Sequence, residues 1–197
     1  ATASSSELAF VTWTSDQRQE AAPVGDAGSS SGHELFGFPP NLFVIGAQKC
    51  GTTALCEQLA RTLTVELATP KEPAYFTRNY GLGLSWYQTC FARKDKLLLD
   101  GTPGYTMARP DATETSPQDG VAERMRALVP SARLIYLVRD PVERAWAGYW
   151  HAVRAGDEHG PIEAALHPTS PYVRASLYHF QLGQYLAQFP RAQICCV

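Results

Sequence analysis

The passage from residue 41 to residue 63, "NLFVIGAQKCGTTALCEQLARTL", constrains the fold of this chain more than any other stretch. Its first six residues, Asn41 to Gly46, have the length and apolar content of a buried strand. From Thr52 onward, Leu55, Leu59 and Leu63 recur at helical spacing, so the spacing predicts a helix over 52–63. A strand that turns through glycines straight into a helix is a unit of α/β architecture. Gly46 and Gly51 let the backbone curl so that successive amides face one anion, at the end of a helix whose dipole favours negative charge. Thr52 and Thr53 supply hydroxyls and N–H groups, and Lys49 adds a full charge. A nucleoside triphosphatase loop, G-x-x-x-x-G-K-[ST], carries its lysine directly after the second glycine; here Lys49 precedes Gly51. The competing reading is a plain strand-to-helix turn with an exposed lysine.

Beyond this unit, short apolar runs alternate with amphipathic stretches, which predicts a central parallel sheet flanked by helices in three layers. "KLLLD" (96–100) is a strand that ends in the turn "GTPGY". In "GVAERMRALVP", Val121, Met125, Leu128 and Val129 share a helical face and Pro130 closes the helix. "ARLIYLV" (132–138) is the most apolar strand and runs into "RDPVERAWAGYWHAVRAG". There Asp140 caps a helix, Pro141 suits its first position, Glu143 completes a capping box and Gly156 ends it. "YVRASLYHFQLGQYLAQFP" reads as one more helix, with Val173, Leu177, Leu182, Tyr185, Leu186 and Phe189 on its apolar face, and "QICCV" as a last buried strand. An ending inside an apolar run predicts a domain truncated at its C-terminus.

A chain of 197 residues is long enough for one domain with a sizeable core and too short for two ordinary ones. Residues 1–40 hold five acids and one arginine among Ser, Ala and Gly, a composition that predicts a flexible leader, with Phe10 to Trp13 docking locally. The domain proper is then 41–197, with 16 basic residues against 14 acidic ones. That slight excess suits an anionic ligand and lacks the clustered basic face of a nucleic-acid binder. No apolar run reaches the roughly 18 to 20 residues of a membrane span. The five cysteines form no C-x-x-C pair, and no two of the five histidines stand four residues apart, so no metal site is expected.

Two further segments carry candidate chemistry. In "TPKEPAYF" (69–76), Pro73 biases Glu72 toward extended geometry, and a carboxylate held in so rigid and aromatic a segment would be partly desolvated and suited to act as a base. The alternative is a solvated Lys71–Glu72 pair in a loop. Arg139 sits at the carboxyl end of a central strand, where open α/β sheets bind ligands, and its planar fork suits a phosphate. Its alternative is an ordinary pairing with Asp140 or Glu143.

Taken in order, these segments resemble the sulfotransferases that use 3′-phosphoadenosine 5′-phosphosulfate (PAPS), especially the branch acting on heparan and chondroitin-type glycans. Lys49-Cys50-Gly51-Thr52-Thr53 is similar to that family's 5′-phosphosulfate loop, where the lysine precedes the glycine. Lys71, Glu72, Tyr75 and Phe76 resemble its "KE" plus aromatic segment, "GLSWYQTCF" its Gly-Leu-x-Trp-Tyr segment, and "DGTPGY" an element that lines the acceptor cleft. "LIYLVRDPVERAWAGYWH" resembles the 3′-phosphate segment.

The resemblance implies a P-loop-like fold and sulfuryl transfer from PAPS, leaving 3′-phosphoadenosine 5′-phosphate (PAP), to a carbohydrate or small-molecule acceptor without a metal. It implies Glu72 as base, Lys49 at the transferring group, Cys50, Gly51, Thr52, Thr53 and Arg139 on the donor, and Lys71, Tyr75 and Tyr105 toward the acceptor. A eukaryotic glycan enzyme of this kind would lie in the Golgi lumen, and others in the cytoplasm. Two departures stand out: Ala147 replaces the serine that commonly follows the strand-end arginine by eight residues, and the basic glycine-containing loop of the family is absent before Val197. A non-catalytic PAP-binding remnant and, more remotely, a nucleotide kinase are the alternative functions.

Overall fold

The computed structural model describes residues 37–110 and 116–197. Its five strands are β1 (Leu42–Gly46), β2 (Val65–Leu67), β3 (Leu97–Asp100), β4 (Arg133–Tyr136) and β5 (Ile194–Cys196). They form one sheet in the order β2-β3-β1-β4-β5, and every neighbouring pair is parallel. The glycine loop therefore leaves the middle strand, and the Arg139 segment leaves the strand beside it.

Seven α-helices are described: α1 (Thr52–Ala60), α2 (Gly83–Thr89), α3 (Val121–Leu128), α4 (Pro141–Ala155), α5 (Ile162–Ala165), α6 (Pro171–Arg174) and α7 (Tyr178–Leu186). The pleat of the central strands explains the layering. Leu42 and Val44 of β1, Leu99 of β3 and Ile135 of β4 face α1, where Leu55, Cys56 and Leu59 meet them. Phe43, Ile45, Leu98, Leu134 and Tyr136 face the other way, against Tyr87 of α2, Val121 and Met125 of α3 and Tyr185 of α7. Both faces of the sheet are covered, which is why the strands read as continuous apolar runs.

The elements depart from the sequence reading in several places. Residues 52–63 are helical only to Ala60, and Leu63 is 91% exposed, because the chain must leave α1 to enter β2. That strand, three residues long, is too short to show a period. The predicted late helix is two, α6 and α7, with Leu177 and Leu186 exposed and Gln181 buried between them, its side-chain amide bonded to both the N–H and the carbonyl of Ala108. The capping box at α4 is half formed. Asp140 accepts from the N–H groups of Val142 and Glu143, but the Glu143 carboxylate turns to Arg139 instead of back to the cap.

Most of the predicted leader lies outside the described residues, as does Phe10 to Trp13. Its last residues pack on the domain: Phe38 meets the ring of Tyr87 edge-on at 5.7 Å. No helix among the described residues is long and apolar enough to cross a membrane.

Candidate active site

The loop after β1 is held from behind by the neighbouring strand. Leu137 donates to the carbonyl of Gly46 at 2.7 Å, and Ala47 donates to the carbonyl of Leu137 at 2.8 Å. A side chain at Gly46 would strike Thr106 and the ring of Tyr136, so only glycine lets the loop sit this low on the sheet. Lys49 and Gly51 take left-handed backbone angles, φ 69° and 88°, and the second of these caps α1. That helix begins with no side-chain cap and no acid in its first turn. Its first N–H groups have no acceptor within the helix, so they and the helix dipole are available to an anion. Thr52 is buried and Thr53 exposed. None of the ion pairs among the described residues involves Lys49.

Lys71 and Glu72 come to the same place. The Lys71 ammonium lies 3.3 Å from the Thr53 hydroxyl and 2.9 Å from the Glu72 carboxylate, so the pair sits over the first turn of α1. Glu72 stands more open than its neighbours: its side chain is 46% exposed, because the rigid segment buries Pro73 to Phe76 and turns the carboxylate outward.

Arg139 reaches the loop from the next strand. Its Nη1 donates to the carbonyl of Lys49 at 3.3 Å and its Nη2 to Glu143 at 2.6 Å. The pairing with Glu143 read as the alternative is thus present, together with a contact to the loop. Tyr178 donates to the carbonyl of Arg139 at 3.0 Å and lies 3.8 Å from the Cys50 sulfur. Burial pushes the Cys50 thiol up, with the Tyr178 hydroxyl and the Arg144 and Arg139 charges opposing it.

Two expected acceptor residues lie elsewhere. Tyr75 and Tyr105 are 4% and 1% exposed, inside an aromatic cluster where Tyr75 stacks on Tyr87 at 4.1 Å and Tyr105 meets Phe76 edge-on. They form the floor beneath the Glu72 segment, since their rings bury more apolar area against one another than a cleft wall would offer. Conversely, nothing in the sequence marks Arg144 as a site residue. It is buried, donates to the Gln48 carbonyl at 3.4 Å, to Ser176 at 2.6 Å and to the carbonyl of Tyr172, and has no ion-pair partner among the described residues. Burial lowers its pKa.

Ala147 has no hydroxyl to offer, and its neighbour cannot replace one: the Tyr149 hydroxyl is committed to the Gly160 carbonyl at 2.8 Å.

The chain is 29% identical over 191 residues to human heparan sulfate glucosamine 3-O-sulfotransferase 6, covering 90% of itself and 51% of that protein. It is 29% identical over 187 residues to mouse heparan sulfate glucosamine 3-O-sulfotransferase 3B1, covering 89% of itself and 44% of the relative. The chain thus spans about half the length of these curated relatives. In structure it resembles a sulfotransferase from Alicyclobacillus acidocaldarius, with TM-score 0.65, 25% identity and coverage of 80% of this chain and 72% of that one. This likeness and the parallel sheet identify the P-loop-like fold. The sulfotransferase domain family matches residues 39–197, and the chain belongs to that family.

Proposed function

We propose that the site transfers a sulfuryl group from PAPS to a hydroxyl or amine of a carbohydrate. The observation that carries this reading is the convergence of the Lys49 loop, the Lys71–Glu72 pair and Arg139 on one edge of the sheet, around a helix N-terminus with no acid in its own first turn. The names of the curated relatives favour a heparan-type acceptor.

The residues present fit such a donor. A free helix N-terminus and Lys49 suit the phosphosulfate end, and Arg139 suits a second phosphate that an ordinary nucleoside triphosphate lacks. PAPS supplies a sulfur–oxygen bond that breaks toward the 5′-phosphate while the acceptor atom bonds to sulfur. As in phosphoryl transfer, the protein mainly aligns the groups and stabilises charge. Negative charge grows on the bridging oxygen, where Lys49 and the loop amides stabilise it. Glu72 takes the acceptor proton, and its exposure leaves it open to a substrate entering from solvent. Lys71 orients Glu72 by the ion pair and presents a cation to an anionic acceptor.

Incubating the chain with sulfur-35-labelled PAPS and heparan sulfate tests the reading: label in the glycan supports it. PAP binding without label transfer to heparan sulfate or any other glycan would favour a nucleotide-binding remnant, the second reading that Ala147 motivates.

A further inference from the structure

Asp100, the last residue of β3, is fully buried, and three hydroxyls donate to it: Tyr87 at 2.6 Å, Tyr105 at 2.7 Å and Thr102 at 2.6 Å. An ionised carboxylate only accepts, so each hydroxyl spends its one proton there and turns its lone pairs away. Two of them use those lone pairs on backbone. Thr102 Oγ1 accepts from the N–H of Ala74 at 3.1 Å, and the Tyr105 hydroxyl accepts from the N–H of Phe76 at 3.4 Å. A third tie is direct, from the N–H of Gly101 to the Lys71 carbonyl at 3.1 Å.

The backbone on both sides of Glu72 is therefore fastened to one short stretch, residues 100–105. The fastening matters because Ala74 stands at φ 51°, a left-handed conformation that a residue with a Cβ seldom adopts. Left without its acceptor, the Ala74 N–H would be a buried unpaired donor on a segment already disinclined to its shape. Buried side chains thus help to determine where the Glu72 carboxylate stands relative to the first turn of α1.

We infer that Asp100 is a positioning residue for the reaction, acting through the Thr102 and Tyr105 hydroxyls to fix the segment that carries Glu72. This rests on the reading of Glu72 as the base.

Thr102→Val keeps the shape and removes one tie. With PAPS and heparan sulfate, kcat should fall about 10- to 100-fold, since misplacement of a reacting group by about 1 Å costs that much. KM for PAPS and affinity for PAP should stay within about twofold, and Thr102→Ser should restore most of the rate. Hydrogen exchange should quicken at the Ala74 amide with β1 unaffected. In a Glu72→Gln background, Thr102→Val should cost less than about twofold more, because the two act through one group. Tyr105→Phe, which cuts the tie to Phe76, should lower kcat in the same manner. The inference is overturned if Thr102→Val leaves kcat and Ala74 exchange unchanged, or if PAP affinity falls in step with kcat. Full transfer by Glu72→Gln alone would instead remove the base assignment, so the two failures are separable.

Discussion

Arg139 donates to the backbone carbonyl of Lys49 across 3.3 Å, tying the end of β4 to the glycine loop that follows β1. The second arm of its fork rests on Glu143, an exposed pairing that solvent screens. The guanidinium is thus placed at the site without being tied up there. Replacing Arg139 with Met should weaken PAP binding about 10- to 100-fold, the value of one hydrogen bond between charged groups. Calorimetric titration measures this, and the melting temperature should barely move.

Ala147 offers the opposite experiment. Tyr149 cannot stand in for a serine there, its hydroxyl being bonded to the Gly160 carbonyl at 2.8 Å. Ala147→Ser should therefore tighten PAP binding by about tenfold or more while leaving adenosine 5′-phosphate, which has no 3′-phosphate, where it was. An equal change for both nucleotides would show that the new hydroxyl does not meet the 3′-phosphate.

The Glu72 segment lies hard against α1 at Gly101. A Cβ there would come within 2.6 Å of the Cys56 sulfur and 3.4 Å of Lys71. Gly101→Ala should lower stability by about 1–3 kcal/mol through overpacking. Adding Cys56→Ala removes the nearest atom and should recover part of the loss, a coupling that thermal denaturation of the four proteins would reveal.

The same cysteine carries a pH signature. Burial pushes the Cys56 thiol from 9.0 up to about 11, with Lys71 opposing. The folded chain therefore holds a proton that the unfolded chain releases sooner. This contribution to stability is fully present below the unfolded value and is lost as pH rises through the folded one. Melting temperature should fall between pH 9 and pH 11, and more steeply than in Cys56→Ala.

How much of this was legible in the sequence depended on where the signal lay. The loop was legible because Gly46, Lys49 and Gly51 are neighbours in the chain, and helix α4 because Asp140, Pro141 and Gly156 mark its ends locally. Arg144 was not, since it meets carbonyls of Gln48 and Tyr172, and a carbonyl leaves no mark in a sequence. The family resemblance implies Tyr75 and Tyr105 as acceptor residues, and a polar-tipped aromatic fits either a cleft or a core. Their burial was decided by Tyr87, Phe76 and Asp100, partners brought in from other elements. The break between α6 and α7 was hidden by an apolar rhythm that continues across it.

The most direct measurement is made on Glu72→Gln, which keeps the size of the side chain and removes its basicity. Calorimetry should give PAP affinity within about twofold of the parent chain, while transfer of labelled sulfate from PAPS to heparan sulfate falls by about 100-fold or more. Transfer at the parent rate would contradict the account, because the carboxylate that the Lys71 segment sets over α1 would then have no part in the chemistry.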